Sequence, residues 1–141
     1  MKVYLAGMFS TIATRKAQAA ELRASGIEVT SRWIDETVPH NVEMKDVPEQ
    51  YLAETAIADV EDIDAATFFV EFVPTDRELV AATVQSSSRG GRHFEMGYAY
   101  HAGLVILVVG PKENVFHYLP GPIRHFETFA EMKEYLESLN A

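Results

Sequence analysis

Short runs of β-branched and aromatic residues alternate along this chain with longer stretches of helical pattern, and this alternation constrains the fold most strongly. Such alternation is typical of a parallel sheet covered by helices. The run 67–73 is apolar except for Glu71, as expected of a central strand buried on both faces. The predicted strands are 2–6, 27–32, 67–73, 104–109 and an edge strand at 123–126; helices are predicted at 14–25, 48–65 and from Thr128 to about 139. We therefore predict an α/β fold with a mainly parallel sheet.

Composition narrows the class of protein. A chain of 141 residues fits one domain, and we expect residues 1–141 to form it. The sequence has no cysteine, which excludes thiolate nucleophiles and cysteine-bound metals, and no segment approaches the roughly 20 apolar residues of a membrane span. A formal net charge of −9 argues against a nucleic-acid surface. We expect a cytoplasmic protein with no membrane or nucleic-acid partner.

A polar, glycine-rich loop at 86–92 leads into a predicted helix that carries Glu95. The start of a helix presents unpaired backbone N–H groups and the positive end of the helix dipole, so it favours Glu95 as an anion that acts as a nucleophile or base. Glycines such as Gly91 let a ligand approach the backbone. Open parallel sheets bind ligands at the carboxyl ends of their strands, so the loops that begin at Gly7 and Trp33 are further candidate substrate-binding segments.

Asp59 and Tyr4 are the other candidate reactive groups. Asp59 falls on or beside the apolar face of the helix predicted at 48–65, where desolvation raises the pKa of a carboxyl group; a surface carboxylate bonded to a loop fits the helix phase equally well. Its neighbour Asp62 is interpreted as solvated. Tyr4 lies near the end of the first strand, where its phenol could reach an anion, although a core tyrosine is the commoner case. Trp33 either stacks on a flat ligand or packs at an edge of the core, and the core position is the commoner case.

Several common ligand sites find no support in the sequence. Neither a G-x-G-x-x-G after a strand nor a G-x-x-x-x-G-K-[ST] is present, so no dinucleotide or nucleoside triphosphate site is predicted. The H-x-E at 93–95 matches zinc deaminases, but those enzymes need cysteine ligands. The five histidines show no metal-ligand spacing. We expect neither a metal nor a cofactor.

Three elements together resemble the nucleoside 2-deoxyribosyltransferase family: Val-Tyr-Leu-Ala-Gly at 3–7, Asp59 before the Asp-Ile-x-Ala-Ala turn at 62–66, and Gly-Arg-His-Phe-Glu-Met-Gly-Tyr-Ala at 91–99. The resemblance covers nearly the whole chain. It implies a flavodoxin-like or Rossmann-like three-layer sandwich, with about five mainly parallel strands and helices on both faces.

The resemblance also implies roles for individual residues. Glu95 would be the nucleophile that forms a covalent deoxyribosyl intermediate, Tyr4 would hydrogen-bond and orient it, and Asp59 would help to protonate the departing base. The segment 113–116 is similar to the family's carboxy-terminal Asp/Glu-Asn element. Asn114 would then reach the site of a neighbouring subunit, which implies a homodimer or a higher homo-oligomer with shared active sites.

One departure from the family leaves the reaction open. Members that use free nucleosides carry a second Asp six residues before the nucleophile, whereas this chain has Arg89 there, preceded by three serines. The related nucleoside 5′-monophosphate N-glycosidases have serine in this region, and Ser86, Ser88, Arg89 and Arg92 would make a phosphate cradle; a polar loop without a ligand is the alternative. The sequence favours deoxyribosyl transfer between bases over hydrolysis of a 5′-monophosphate. A non-catalytic nucleotide-binding module is a third possibility.

Overall fold

The computed structural model describes residues 1–36, 44–81 and 90–141, and a five-stranded parallel sheet is its centre. The strand order is β2-β1-β3-β4-β5, and every neighbouring pair is parallel. The strands are Lys2–Ala6 (β1), Glu28–Val29 (β2), Phe68–Phe72 (β3), Val105–Val109 (β4) and Ile123–Phe126 (β5). The order reverses between β1 and β3, which places the ligand-binding crevice of such sheets at their carboxyl ends.

Five helices connect and flank the strands: Ile12–Ala24 (α1), Glu49–Asp64 (α2), Asp76–Ala81 (α3), Gly91–His101 (α4) and Phe129–Asn140 (α5). The residues that begin and end them follow ordinary helix chemistry. Gly26, with φ +78°, follows the end of α1, and Gly90, with φ +99°, precedes α4; this left-handed conformation favours glycine. Thr128 and Glu131 form the predicted capping box at α5. Helix α3 lies between β3 and the glycine-rich loop, where the sequence predicts no helix.

Helices cover both faces of the sheet. Side chains alternate along a strand, so Phe69 and Phe72 point to opposite faces of β3. Phe69 stacks on Tyr4 with ring centroids 5.6 Å apart, on the face that α4 covers. Phe72 lies against Phe129 of α5 at 6.3 Å and beneath the guanidinium of Arg15 of α1 on the other face. The predicted flavodoxin-like three-layer sandwich is confirmed.

The second strand is shorter than the predicted 27–32. Near the end of β1, hydrogen bonds with side chains take the place of the backbone hydrogen bonds that a longer strand would form. The hydroxyl of Ser31 accepts a hydrogen bond from the backbone N–H of Leu5 at 2.6 Å, and the indole Nε1 of Trp33 donates to the carbonyl of Leu5 at 2.7 Å. With both backbone groups of Leu5 satisfied in this way, the chain leaves the sheet and forms the short 3-10 turn Arg32–Asp35. Within the part of the chain that is described, no helix combines the length and apolarity needed to cross a membrane.

Candidate active site

The site is centred on a hydrogen bond between β1 and α4. Tyr4 is completely buried, and its hydroxyl donates to Oε2 of Glu95, which lies one turn into α4. The phenol stands near the carboxyl end of β1 because side chains alternate along the strand and Tyr4 faces the α4 layer. The hydroxyl of Tyr4 is thus bonded to a carboxylate and not to the backbone, as the family resemblance implied. Burial, followed by the negative charges of Glu95 and Asp59, raises the pKa of Tyr4 well above its usual value, so the phenol remains a donor.

Burial controls the charge of Glu95. It raises the pKa of this carboxyl group to about 7; the hydrogen bond from Tyr4 lowers the pKa, and the nearby charge of Glu71 raises it further. The sequence argument predicted the opposite direction, since a helix start favours an anion. That argument was wrong here because Glu95 lies behind the first turn of α4, where desolvation outweighs the helix dipole.

Asp59 is a half-buried residue of α2 that interacts electrostatically with Glu95. Burial, then the charges of Glu95 and Glu36, raise the pKa of Asp59 to about 7, which confirms the expected effect of desolvation. Its neighbour Asp62 is not solvated, contrary to the sequence interpretation. The Asp62 carboxylate is buried and accepts hydrogen bonds from the backbone N–H and the Nε of Arg32 at 2.9 and 2.7 Å, which ties α2 to the 3-10 turn.

Tyr51 and Glu36 lie near Asp59, and neither was predicted from the sequence as a site residue. The hydroxyl of Tyr51, two turns before Asp59 on α2, donates to Oε2 of Glu36 at 3.2 Å. Burial raises the pKa of Glu36, and the pKa of Tyr51 is raised by burial and by the charges of Glu36 and Asp59. Helix periodicity places Tyr51 near Asp59, but no sequence motif points to Glu36.

Arg92 is directed into the protein. Its side chain is buried, with Nη1 donating to Oε1 of Glu71 at 2.6 Å and Nη2 to Oε1 of Glu113 at 2.7 Å. Helix α4 begins at Gly91, so Arg92 in its first turn faces the end of β3, where Glu71 is also buried. A phosphate at Arg92 would have to compete with these two carboxylates.

The remaining predicted binding residues lie in different places. Trp33 is buried at an edge of the core, with its ring 6.4 Å from that of Phe9, and Gly7 is half-buried at the end of β1. Gly91 is exposed. Asn114 is half-buried, and its Oδ1 accepts from the backbone N–H of Phe116 at 2.9 Å. The predicted positions Ser86, Ser88 and Arg89 lie outside the described residues.

The residues described include one group with the spacing of metal ligands. Glu71, His93 and Glu113 each offer a ligand atom, and these atoms lie within 4.8 Å of one another. The guanidinium of Arg92 already forms ion pairs with both carboxylates. Its positive charge would repel a metal ion bound to the same two groups. The donor set therefore does not fit a metal centre.

Arg15 is a buried cation that the sequence analysis overlooked. Only 5% of Arg15 is exposed, no residue that the structure describes accepts a hydrogen bond from its Nε or Nη1, and its guanidinium lies 3.8 Å from the ring centroid of Phe72. Burial lowers the pKa of Arg15 to about 10. A Cβ built on Gly7 would lie 3.5 Å from its Cδ, so the side chain passes beside the loop after β1. The hydroxyl of Ser10 in that loop is also buried, with no hydrogen-bond partner within the described ranges 1–36, 44–81 and 90–141.

Similarity to solved structures supports the fold. The chain is 16% identical to a CMP N-glycosidase of Clostridium botulinum, with a TM-score of 0.57 over 98% of this chain and 99% of that one. It is also 16% identical to a 2-deoxyribosyltransferase of Bacillus psychrosaccharolyticus, with a TM-score of 0.64 over 96% of this chain and 92% of that one. No protein-family model and no curated protein sequence matches the chain. At this level of identity, the two likenesses show that the chain shares the flavodoxin-like α/β fold of these proteins along nearly its whole length.

Proposed function

We propose that the protein cleaves the N-glycosidic bond of a nucleoside or nucleotide. The observation that carries this proposal is the half-buried carboxylate of Glu95, at the carboxyl edge of the sheet, which accepts a hydrogen bond from Tyr4 and interacts electrostatically with Asp59. The pKa values of Glu95 and Asp59 are both raised to about 7. Near neutral pH one of the two carboxyl groups is therefore able to act as an anion while the other acts as an acid. Both similar structures bear the names of enzymes that act at such bonds, which agrees with this proposal.

The proposed reaction follows from these two carboxyl groups. Ionised Glu95 attacks C1′ of the sugar while the bond from C1′ to the base nitrogen breaks, and the electron pair of that bond leaves with the base. Protonated Asp59 gives its proton to the base, so a neutral base departs and a glycosyl ester remains on Glu95. In the second step a second base attacks C1′ as the ester bond to Glu95 breaks, and Asp59, now ionised, takes the proton of the incoming base. This completes a transfer with retained configuration, whereas water that attacks in the same way completes a hydrolysis. We favour transfer of 2-deoxyribose, the activity that the sequence resemblance implies.

Hydrolysis of a nucleoside 5′-monophosphate is the second candidate, and Arg15 favours it. Burial removes water from the guanidinium, and two of its donors have no acceptor among the described residues; a phosphate would give them charge-assisted hydrogen bonds. Arg15 lies at the carboxyl edge beside Gly7, close to the reversal of strand order between β1 and β3. It therefore offers a phosphate contact that does not depend on Arg92, whose donors bind carboxylates.

Product analysis tests the proposal and separates the two reactions. The protein is incubated with deoxyinosine or with its 5′-monophosphate, each with and without adenine, and products are separated by chromatography. A new adenine deoxynucleoside establishes transfer, while hypoxanthine release from the monophosphate alone, independent of adenine, establishes hydrolysis of a nucleotide. Intact substrates in every reaction, over a time in which the related enzymes turn over many times, would contradict the proposal.

Substitution of Arg15 tests the phosphate contact. We expect Arg15→Met, which keeps the length of the alkyl chain but removes the donors, to raise KM for the 5′-monophosphate about tenfold to a hundredfold and to leave the nucleoside unaffected, because a charged hydrogen bond contributes about 1.5–3 kcal/mol. Arg23→Met, an exposed position on the same helix, is the control. Equal effects of Arg15→Met on both substrates would remove Arg15 from phosphate binding.

We also propose that the protein is a homo-oligomer with shared sites. Asn114 begins a 3-10 turn in which Val115, Phe116 and Tyr118 are 75%, 62% and 67% exposed. Apolar side chains this exposed, and this close together, are typical of a surface that another chain covers. The exposed turn carries the residue that the family resemblance assigns to a neighbour's site, so a second copy of this chain is the proposed partner.

A further inference from the structure

The buried carboxylate of Glu71 connects the two segments that flank Glu95. Glu71 is the second-last residue of β3 and is completely buried. Its Oε1 accepts from Arg92 of α4 at 2.6 Å, and its Oε2 accepts from Nε2 of His117 at 2.7 Å. His117 belongs to the turn that follows Asn114. One carboxylate in the sheet therefore holds both the first turn of the nucleophile's helix and the turn that carries Asn114.

The hydrogen bonds of His117 allow one arrangement of its protons. The backbone N–H of Glu113 donates to Nδ1 at 3.0 Å, so Nδ1 carries no hydrogen and Nε2 is the donor to Glu71. Arg92 closes the loop, because its other Nη donates to the Glu113 side chain at 2.7 Å. Buried hydrogen bonds of this kind make the segments that they join rigid, and removal of one member leaves a buried group without its partner.

We infer that Glu71 is a positioning residue for Glu95, because it fixes the first turn of α4 through Arg92 and the Asn114 turn through His117. This inference rests on the proposed role of Glu95 as the nucleophile. Glu95 follows Arg92 by three positions, so the two side chains leave neighbouring turns of α4, and a shift of the Arg92 anchor moves the carboxylate that must meet C1′. Glu71 also acts at a distance, since its negative charge adds to the effect of burial on Glu95.

Two substitutions test this inference. In Glu71→Gln, the amide has one acceptor oxygen for two donors, so either Arg92 or His117 loses its bond and a negative charge is removed. In Arg92→Lys, a single ammonium cannot bridge Glu71 and Glu113 as the guanidinium does. For both variants we expect kcat to fall about tenfold to a hundredfold. The matched control is Arg124→Lys, at an exposed arginine on β5 that lies over the ring of Tyr135, and its kcat should match the wild type.

A second readout separates positioning from a loss of stability. The titration of Glu95 is followed by NMR of its side-chain carbon in protein labelled at glutamate, with Glu95→Gln used to assign the signal. We expect the pKa of Glu95 to be lower in Glu71→Gln than in the wild type, because the negative charge that raises it is gone. Unchanged titration and kcat within twofold of wild type would overturn the inference. If Glu71→Gln does not fold, Arg92→Lys decides on kcat alone. An inactive wild type would refute the proposed function, and the titration would still test the link from Glu71 to Glu95.

Discussion

The hydroxyl of Tyr4 in the first strand donates a hydrogen bond to the carboxylate of Glu95 in the fourth helix, although the two residues are 91 positions apart. The contact depends on the sheet, because β1 places a buried phenol beneath the helix that follows the glycine-rich loop. It fixes one oxygen of Glu95, and the other oxygen is the one that attacks in the proposed reaction. Since the bond to Tyr4 lowers the pKa of Glu95 while burial raises it, the phenol favours the ionised form that the proposed reaction needs.

Removal of the Tyr4 hydroxyl should make Glu95 harder to ionise. We expect Tyr4→Phe to raise the pKa of Glu95 and to move the acidic limb of the pH–rate profile to higher pH. A hydrogen bond to a charged group contributes about 1.5–3 kcal/mol, so base release below pH 7 should fall about tenfold to a hundredfold. The measurement is kcat for base release from pH 5 to 9. Tyr100→Phe is the control, because Tyr100 lies about 140° around α4 from Glu95. An acidic limb that does not move in Tyr4→Phe would contradict the role of Tyr4.

The two raised pKa values predict a narrow pH optimum. The reactive form requires Glu95 ionised, which is favoured above about pH 7, and Asp59 protonated, which is favoured below about pH 7. We therefore expect a bell-shaped profile with its maximum near pH 7, described by two apparent pKa values of the coupled pair. Asp59→Asn should lower the rate and remove the alkaline limb.

The control for Asp59→Asn is Glu54→Gln, an exposed carboxylate on the same helix. It should keep both limbs. A wild-type rate that rises to a plateau through pH 9 would show that no group with the behaviour assigned to Asp59 takes part.

Burial of Glu95 should cost stability at alkaline pH. In the unfolded chain Glu95 ionises near its usual pKa of 4.5, and in the folded protein near 7, so between these values the unfolded state binds fewer protons and stability falls as the pH rises. Above about pH 7 the full cost is present; below about pH 4 it is absent. Glu95→Gln should therefore raise Tm by several degrees at pH 8, since roughly 1 kcal/mol corresponds to about 3 °C in a chain of this size.

Thermal unfolding at pH 8 and at pH 4 checks this prediction. The exposed Glu134→Gln on α5 should change Tm little at either pH. A Tm of Glu95→Gln that is lower than the wild type at pH 8 would show that ionised Glu95 is stabilised by its surroundings.

Shared active sites predict complementation between two inactive variants. Glu95→Gln lacks the nucleophile and Asn114→Ala lacks the residue assigned to the neighbour's site, so a mixed dimer contains one intact site. After mixing and reassembly we expect about a quarter of the wild-type activity, because about half of randomly formed dimers are mixed. Light scattering checks the assembly. A monomeric wild type with full activity, or mixtures without any recovery, would contradict the role of Asn114.

The pattern of the sequence was sufficient to predict the sheet and most of its helices. Strand β5 at Ile123–Phe126 and the capping box at Thr128 agree with their predicted positions, because local residue preferences decide both. The length of β2 could not be predicted. It depends on Ser31 and Trp33 bonding to the backbone of Leu5, which is a contact between distant parts of the chain.

The site shows the same division between local and distant effects. Glu95 and Asp59 could be identified in the sequence, Glu95 from the glycine-rich loop before it and Asp59 from its position on the helix. The partners of Arg92 do not, because Glu71 and Glu113 are each 21 residues from it and only the fold brings them together. Glu71 is visible in the sequence as the polar exception in the run 67–73, but its two hydrogen-bond partners are not. In the sequence, Arg15 has the position of an ordinary polar residue on an amphipathic helix. Its burial against Phe72 is known only from the structure.

The most direct measurement of the central claim is the mass of the peptide that contains Glu95 during turnover. The protein is mixed with excess deoxyinosine or its 5′-monophosphate, quenched in acid within seconds, digested and analysed by mass spectrometry. We predict that this peptide gains the mass of one substrate glycosyl group, that fragmentation places it on Glu95, and that Glu95→Gln gains none. The assignment of Glu95 as the nucleophile would be contradicted by two results together: the protein releases base while this peptide keeps its mass, and Glu95→Gln releases base at the same rate.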